Sequence, residues 1–173
     1  MRLFNLFFKS LVFILLFSLS NALSNTLDKI NIIGNDRISD ETIKLFISVK
    51  INDEINDNKL NIILKDLYET DFFKDVRVIF EDQILSINVI ENPIIESIIY
   101  EGVKSNRILD IIKDETSIKS RSSYNENNIK KEKFKIKNIL KNLGYFNSSL
   151  DVLIEQTSNN LVNITYSIDL GKK

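Results

Sequence analysis

The side chains of this 173-residue chain that could do chemistry are acids, lysines and hydroxyls, because it contains neither histidine nor cysteine. Without those residue types there is no Ser-His-Asp triad, no Cys-His pair and no ordinary zinc site. The four glycines are not spaced as a phosphate-binding loop. No paired acids at a recognisable spacing indicate a carboxylate-only hydrolase. We therefore predict a protein that is not an enzyme, with no cofactor and no metal.

One segment rich in Asn and Asp could offer oxygen ligands to calcium. Residues 51–58 read INDEINDN, but they lack the alternating ligand spacing and the central glycine of an EF-hand loop. Asn56 and Asp57 are better interpreted as caps of a following helix. That helix has an apolar stripe at i, i+3, i+4 and i+7, formed by Leu60, Ile63, Leu64 and Leu67.

A basic segment could bind nucleic acid or anionic lipid, since six lysines lie between Lys130 and Lys141. The same segment has an apolar helical face made of Ile129, Ile136, Leu140 and Leu143. Lysines normally cover the solvated side of such a helix. The formal net charge of the chain is −1. We therefore predict no nucleic-acid partner; a small nucleic-acid binder is the alternative, which a strongly salt-dependent affinity would reveal.

The first 22 residues have the order of a bacterial secretory signal. Arg2 and Lys9 precede the apolar run LVFILLFSL, and Ser20 and Ala22 supply small residues for cleavage after Ala22. An uncleaved membrane anchor is the alternative, but it would need about 20 apolar residues and Lys9 interrupts the stretch. We expect export, and a chain without cysteine then has no disulfide framework to stabilise it.

Residues 27 to 92 predict a strand, two helices and two further strands, in that order. An Ile-rich strand ends at the turn of Gly34, Asn35 and Asp36. Ser39, followed by two acidic residues, begins a helix near 40–48, and the capped helix described above follows it. After Phe72 and Phe73 the apolar period changes to two, which predicts strands over 75–80 and 85–90 before Pro93 ends the second.

The same order repeats after Pro93. A strand ending at Gly102 leads to a short helix over 106–114, a long helix over 126–143, and alternating runs over 150–154 and 161–168. The join between second helix and second strand also repeats, as LYETDFFKDVRV at 67–78 and LKNLGYFNSSLDV at 140–152. The chain therefore reads as two βααββ units, residues 23–92 and 93–173. Each has about 70 residues, near the lower limit for a self-supporting core.

A secretory signal followed by tandem βααββ units resembles the POTRA domains of the BamA family of outer-membrane assembly factors. In the first unit the matching residues are Leu67, Tyr68, Thr70, Phe72, Phe73, Val76 and the exit from Val89 to Pro93. In the second they are Leu143, Gly144, Tyr145, Phe146, Val152 and the exit from Ile168 to Gly171. Asp71 departs from the glycine usual in the family, and aspartate tolerates left-handed backbone better than most residues.

The resemblance implies an α+β fold in which each unit is a three-stranded mixed sheet with two helices on one face. It also implies a location on the periplasmic side of the outer membrane of a Gram-negative bacterium. The partners would be unfolded outer-membrane β-barrel proteins and Bam-type accessory lipoproteins. Family members continue with a third unit and a C-terminal barrel that reaches the outer membrane. Both are absent here, so we expect an N-terminal fragment or a truncated reading frame.

The resemblance further implies that the second strand of each unit lies at a sheet edge, where an extended client can pair with exposed backbone groups. The candidate client-binding residues are Asp75, Val76, Arg77, Val78, Ile79 and Phe80 in the first unit, and Leu150, Asp151, Val152, Leu153 and Ile154 in the second. We expect the alternate apolar side chains of these strands to point into the core, namely Val76, Val78, Phe80, Leu150, Val152 and Ile154. Only their backbone would then meet a client.

Two related alternatives remain open from the sequence. One is the POTRA arm of a translocation and assembly protein of the TamA kind. The other, which requires an uncleaved anchor, is a division protein of the FtsQ kind. That family usually carries a single such unit, so the second copy argues against it.

Overall fold

The computed structural model describes residues 25–158 and 160–172. The expected secretory signal, residues 1–22, lies outside this range. In chain order the elements are β1 (Lys29–Ile33), α1 (Asp40–Phe46), α2 (Asp57–Glu69), β2 (Phe73–Glu81), β3 (Ile84–Glu91), β4 (Ile94–Glu101), α3 (Asn106–Glu115), α4 (Glu126–Asn142), β5 (Ser149–Ser158) and β6 (Leu161–Asp169). The βααββ order predicted for each unit is confirmed.

Each unit contains a mixed three-stranded sheet whose central strand comes last in sequence. The first sheet has the order β1-β3-β2, with β1 parallel and β2 antiparallel to β3. The second has the order β4-β6-β5 with the same directions. The predicted α+β class with two tandem units is therefore confirmed.

Three of the four described helices, α1, α2 and α4, begin at a short polar side chain that caps them, whereas Ser105 makes no such bond at the start of α3. Ser39 Oγ accepts from the Thr42 N–H, and Asn56 Oδ1 accepts from the Lys59 N–H at 2.9 Å. The Asn56 bond satisfies one of the free N–H groups at the start of α2, which is the capping role predicted for the Asn-Asp segment. Helix α1 ends at Phe46 rather than near residue 48, because Ile47 turns to extended backbone and buries its side chain.

Each unit has its own apolar core on one side of its sheet. In the first, Leu85, Ile87 and Val89 of the central strand pack against the buried Ile43, Ile63 and Leu67 of the two helices. In the second, Val162, Ile164, Tyr166 and Ile168 pack against the buried Ile108, Ile112, Ile129, Ile136 and Leu140. Burial of such side chains stabilises the fold by roughly 1.5–3 kcal/mol each, and here it acts without disulfides.

A two-residue turn fixes the pairing of β2 with β3. Asp82 and Gln83 both have positive φ, 48° and 64°, which matches the right-handed twist of a tight hairpin. The turn places Glu81 opposite Ile84 and so sets the register of the whole hairpin. Gly34 and Gly102 follow the first strand of each unit at φ 90° and 83°. A Cβ there would collide with the carbonyl oxygens of Val89 and Ile168.

Within the described part of the chain, no helix combines the length and the apolar character that crossing a bilayer by a helix requires.

Candidate functional site

The outer edges of β2 and β5 are the candidate site. β2 pairs with β3 and β5 pairs with β6, and no strand lies on the other side of either one among residues 25–158 and 160–172. All the residues predicted for client binding lie within these two strands. Their pairing with a client is still a prediction.

The side chains of both strands alternate between the core and solvent. Val76 and Leu150 are buried. Val78, Phe80, Val152 and Ile154 are partly buried and pack against the cores, as expected from the sequence. Arg77, Ile79, Asp151 and Leu153 are exposed on the opposite face of their sheets. Backbone groups are therefore the main feature that each outer edge presents to a partner.

The turn at Asp82 and Gln83 determines which backbone groups of β2 point outward. In a two-residue hairpin the flanking pair, here Glu81 and Ile84, exchange hydrogen bonds with each other. Because hydrogen-bonded and non-hydrogen-bonded pairs alternate, the N–H and C=O groups of Val76, Val78 and Phe80 point away from β3. The outer edge of β2 thus presents three sets of backbone groups, each set being the N–H and C=O of one of these residues.

The first of these sets already has a side-chain partner. The Tyr68 hydroxyl accepts from the Val76 N–H at 3.2 Å and donates to Asp75 Oδ1 at 3.3 Å. The Arg77 Nε lies 3.6 Å from Asp75 Oδ2 in an exposed pair, which contributes little to stability. The β2 edge therefore carries both charge and a hydroxyl at its start.

On the opposite side of each sheet, the outer edges of β1 and β4 are hydrogen-bonded near their start to loops of the same unit. Ahead of β1, the Leu27 N–H donates to the Asp53 carbonyl at 2.8 Å. In β4, the Ile95 N–H donates to the Ser122 carbonyl at 2.9 Å, and the Arg121 N–H donates to the Ile95 carbonyl at 2.7 Å. These bonds occupy the start of each opposite edge, which favours β2 and β5 as places for an added strand.

A polar joint connects the two units at the end of α2. Asp71 adopts the left-handed region at φ 59°, as its place in the sequence motif predicts. Its two carboxylate oxygens accept from the side-chain amides of Asn125 and Asn128, each at 2.8 Å. Asn125 is also the N-cap of α4. Asp71 of the first unit therefore holds the start of the long helix of the second.

Glu91 and Asn92 complete the joint from the end of β3. Oε1 of the buried Glu91 accepts from the backbone N–H groups of Asp36, Arg37 and Ile38, at 2.9 to 3.0 Å. Its Oε2 lies 2.9 Å from the Arg37 Nε. The Asn92 side-chain amide donates to the Asp71 carbonyl at 2.9 Å. These contacts tie the loop after β1, the end of β3 and the end of α2 together.

A cleft of about 550 Å³ opens beside this joint. Arg37, Asp71, Arg121, Lys131 and Glu132 are among the residues that line it. Glu132 is 4% exposed and accepts from the Ile118 N–H at 3.1 Å, so its carboxylate supports the loop between α3 and α4 rather than facing a ligand. No group of three or more acidic residues in the described range is placed to hold a metal ion.

The basic face of α4 is solvated. Ile129, Ile136 and Leu140 are buried, whereas Phe134 is 68% exposed among the lysines. Lys130 lies 2.7 Å from Glu126 one turn earlier, and the hydrogen bond between them lowers the pKa of Glu126. This arrangement agrees with the predicted solvent-covering role of the lysines.

Two tyrosines of the second core have altered acidity. The rings of Tyr100 and Tyr166 stack at 5.2 Å between centroids. Burial, and then the negative charge of Glu132, raise the pKa of Tyr166 above its usual value. Burial also raises the pKa of Tyr100. Both side chains are therefore neutral in the fold over the ordinary pH range.

This geometry agrees with comparisons to known proteins. Residues 93–171 match the family described as POTRA, surface antigen variable number repeat. Residues 93–171 therefore belong to the POTRA family. The chain is similar to the outer membrane protein assembly factor BamA of Neisseria meningitidis serogroup B (strain ATCC BAA-335 / MC58). The two are 31% identical over 149 residues, which is 85% of this chain and 19% of that protein. The chain thus spans about a fifth of the length of this curated relative.

Solved structures show the same fold. The N-terminal domain of Omp85 from Thermosynechococcus elongatus aligns with a TM-score of 0.55 and 14% identity, over 82% of this chain and 61% of that one. POTRA1-2 of the periplasmic domain of Omp85 from Anabaena aligns with a TM-score of 0.50 and 15% identity, over 86% of this chain and 96% of that one. The fold of two consecutive POTRA domains therefore covers 86% of this chain.

Proposed function

We propose that the two units are a non-catalytic protein-interaction module of an outer-membrane β-barrel assembly machine, on the periplasmic side of that membrane. The observation that carries this proposal is that no strand in the described part of the chain covers the outer edges of β2 and β5, in a chain that contains a POTRA match. The similarity to an outer membrane protein assembly factor supports the cellular setting. The periplasmic location of the Anabaena POTRA domains supports it further.

On this proposal, an unfolded outer-membrane protein adds a strand to β2 or β5. Affinity would come from main-chain hydrogen bonds, which every sequence can make, so one edge could receive many different clients. The core-facing side chains of Val78 and Phe80 hold the edge in place without contacting the client. Binding would be weak, because one added strand on a short edge forms few bonds and each contributes only about 1 kcal/mol net.

Accessory lipoproteins would dock on the remaining surface. The exposed face of α4, with Phe134 among lysines, is a surface that an acidic partner could contact. Attachment to the outer membrane would come from a C-terminal barrel of the kind that the family resemblance implies.

The experiment is an amide-shift titration by NMR. A peptide from an outer-membrane barrel strand is titrated into a chain of residues 23–173. We expect weak, saturable changes in the amide chemical shifts of residues 75–80 or 150–154. The matched control is the same peptide with alternate amides N-methylated, which keeps every side chain and removes the main-chain donors on one edge. A scrambled, charge-matched helical peptide controls for charge.

Strand addition requires that N-methylation abolish the shifts. If the methylated peptide binds equally well, recognition rests on side chains and the edge mechanism is wrong. If neither edge responds to millimolar peptide while the units remain folded, these two units do not receive clients in this way, and a spacing or lipoprotein-docking role replaces it.

A further inference from the structure

Tyr68 lies in the last turn of α2 and places its hydroxyl at the start of the β2 edge. The side chain is 41% exposed, so its position is not dictated by burial in the core. Its hydroxyl bonds the Val76 N–H at 3.2 Å and the Asp75 carboxylate at 3.3 Å. A break in the β2-β3 register lies between Phe73 and Asp75, immediately before these residues.

These features are the devices by which proteins protect an edge strand against unwanted pairing: a bulge, charged side chains and a partner for an outward N–H. The Val76 N–H is the first outward donor of β2, followed by those of Val78 and Phe80. An incoming strand would find the last two donors free and the first one taken.

We propose that Tyr68 guards the β2 edge against strand addition. A partner strand pairs directly with Val78 and Phe80, and it reaches Val76 only by displacing the Tyr68 hydroxyl. This inference rests on the proposed function, because it concerns the same edge and the same extended peptide partner. The strand order alone leaves the whole β2 edge open to a partner, whereas the guard restricts access to the Val76 N–H.

The second unit cannot form the same guard at the corresponding position. Tyr68 stands three residues before the left-handed Asp71, and Lys141 stands three residues before the left-handed Gly144. Leu67 and Leu140, the preceding residues, are both fully buried, so the two helix ends correspond. An ammonium group only donates and cannot accept from a backbone N–H. We therefore expect a peptide strand to bind β5 more tightly than β2.

Tyr68→Phe tests the guard because it keeps the ring and removes only the hydroxyl. The first readout needs no peptide: hydrogen exchange of the Val76 amide should become about five- to tenfold faster, since one hydrogen bond is lost. The second readout is the titration with the barrel-strand peptide. The dissociation constant at β2 should fall about threefold to fivefold, while that at β5 stays unchanged.

Tyr124→Phe is the matched control, because Tyr124 and Tyr68 both line a second cleft of about 450 Å³. The substitution removes a hydroxyl from that cleft and leaves the Tyr68 contact with Val76 intact. Unchanged Val76 exchange in Tyr68→Phe would overturn the guard, and so would unchanged or weaker peptide binding at β2. If β5 binds peptide and Tyr68→Phe does not alter β2, the guard fails and the proposed function stands. If neither edge binds peptide in either protein, both fail together.

Discussion

Replacing Asp71 by glycine should loosen the two units without destabilising the turn in which the residue lies. Asp71 is left-handed at φ 59°, a conformation that glycine adopts with no steric cost. The same substitution removes the carboxylate that accepts from Asn125 and Asn128. The two roles of Asp71, in the turn and at the joint, are therefore separated by one change.

The expected size of the effect follows from the two hydrogen bonds. A bond to a charged group contributes about 1.5–3 kcal/mol, and the lower value applies because all three side chains are partly exposed. The two bonds then favour the docked arrangement by about 3 kcal/mol, a factor on the order of a hundred in population. Within the turn, relief of left-handed strain and the greater chain entropy of glycine, each about 1 kcal/mol, offset one another.

Residual dipolar couplings measured on the two-unit chain provide the assay. In the parent protein both units should share one alignment tensor, and in Asp71→Gly the tensors should differ. Asp82→Gly is the control, since Asp82 is another left-handed aspartate, at φ 48°, in the β2–β3 turn, where the Gln83 carbonyl accepts from Asp28 and Lys29 of the same unit. The free energy of unfolding should change by less than about 1 kcal/mol in Asp82→Gly. In Asp71→Gly it should fall by up to the roughly 3 kcal/mol that the two hydrogen bonds contribute.

A shared tensor in Asp71→Gly would refute this reasoning. The relative position of the units would then depend on the short link between the end of β3 at Glu91 and the start of β4 at Ile94 rather than on the Asp71 carboxylate. A tensor difference that also appears in Asp82→Gly would show that turn flexibility, rather than the carboxylate, is responsible.

Glu91→Gln should lower the free energy of unfolding by about 2–3 kcal/mol, because an amide would face the Arg37 guanidinium with a donor in place of the buried carboxylate oxygen. Urea unfolding measures this, and a loss below about 1 kcal/mol would mean that the ion pair adds little. Tyr166→Phe should raise stability by about 1 kcal/mol at pH 7, since the buried hydroxyl has no hydrogen-bond partner among the described residues. Because burial raises the pKa of Tyr166, the unfolded chain loses the hydroxyl proton at a lower pH than the folded chain does. The contribution of this pKa difference to the free energy of unfolding is therefore fully present below pH about 10 and is lost as the pH rises above it. Alkaline unfolding of Tyr166→Phe should therefore be shallower by up to about 1.4 kcal/mol per pH unit, and an unchanged slope would contradict this assignment.

The sequence predicts the elements well because each carries a local signal. The Asn56 cap, the apolar stripe of α2 and the change to alternating residues after Phe73 depend on neighbours a few positions apart. The left-handed backbone at Asp71 follows from its place in a helix-end motif. These predictions required no knowledge of the distant contacts. The predicted helix ends differ from the structure by one or two residues, and β5 continues to Ser158, four residues beyond the predicted run.

The contacts that define the site could not be predicted in the same way. Asp71 meets Asn125 and Asn128 across 54 and 57 residues, and no periodicity links such positions. Glu91 reads as an ordinary exit residue of β3, although its carboxylate binds three backbone groups of a loop more than 50 residues earlier. The spacing of Tyr68 and Val76, eight residues apart across a turn, is a signal that could have been found, since a helix end lies directly beside the strand that follows it.

The position of the central strands has a consequence for how the chain acquires its structure. β3 and β6 are the last strands of their units, and each joins two strands that do not contact each other. During synthesis the N-terminal part of a chain emerges first. β1 and β2 must therefore wait without a sheet until residues 84–91 have been made, and the parallel pair with β1 then closes a long loop, which is a slow step. The sheet of each unit therefore remains incomplete until its last strand has been made, so a chain that ends within β3 lacks the strand on which both other strands of the first unit pair.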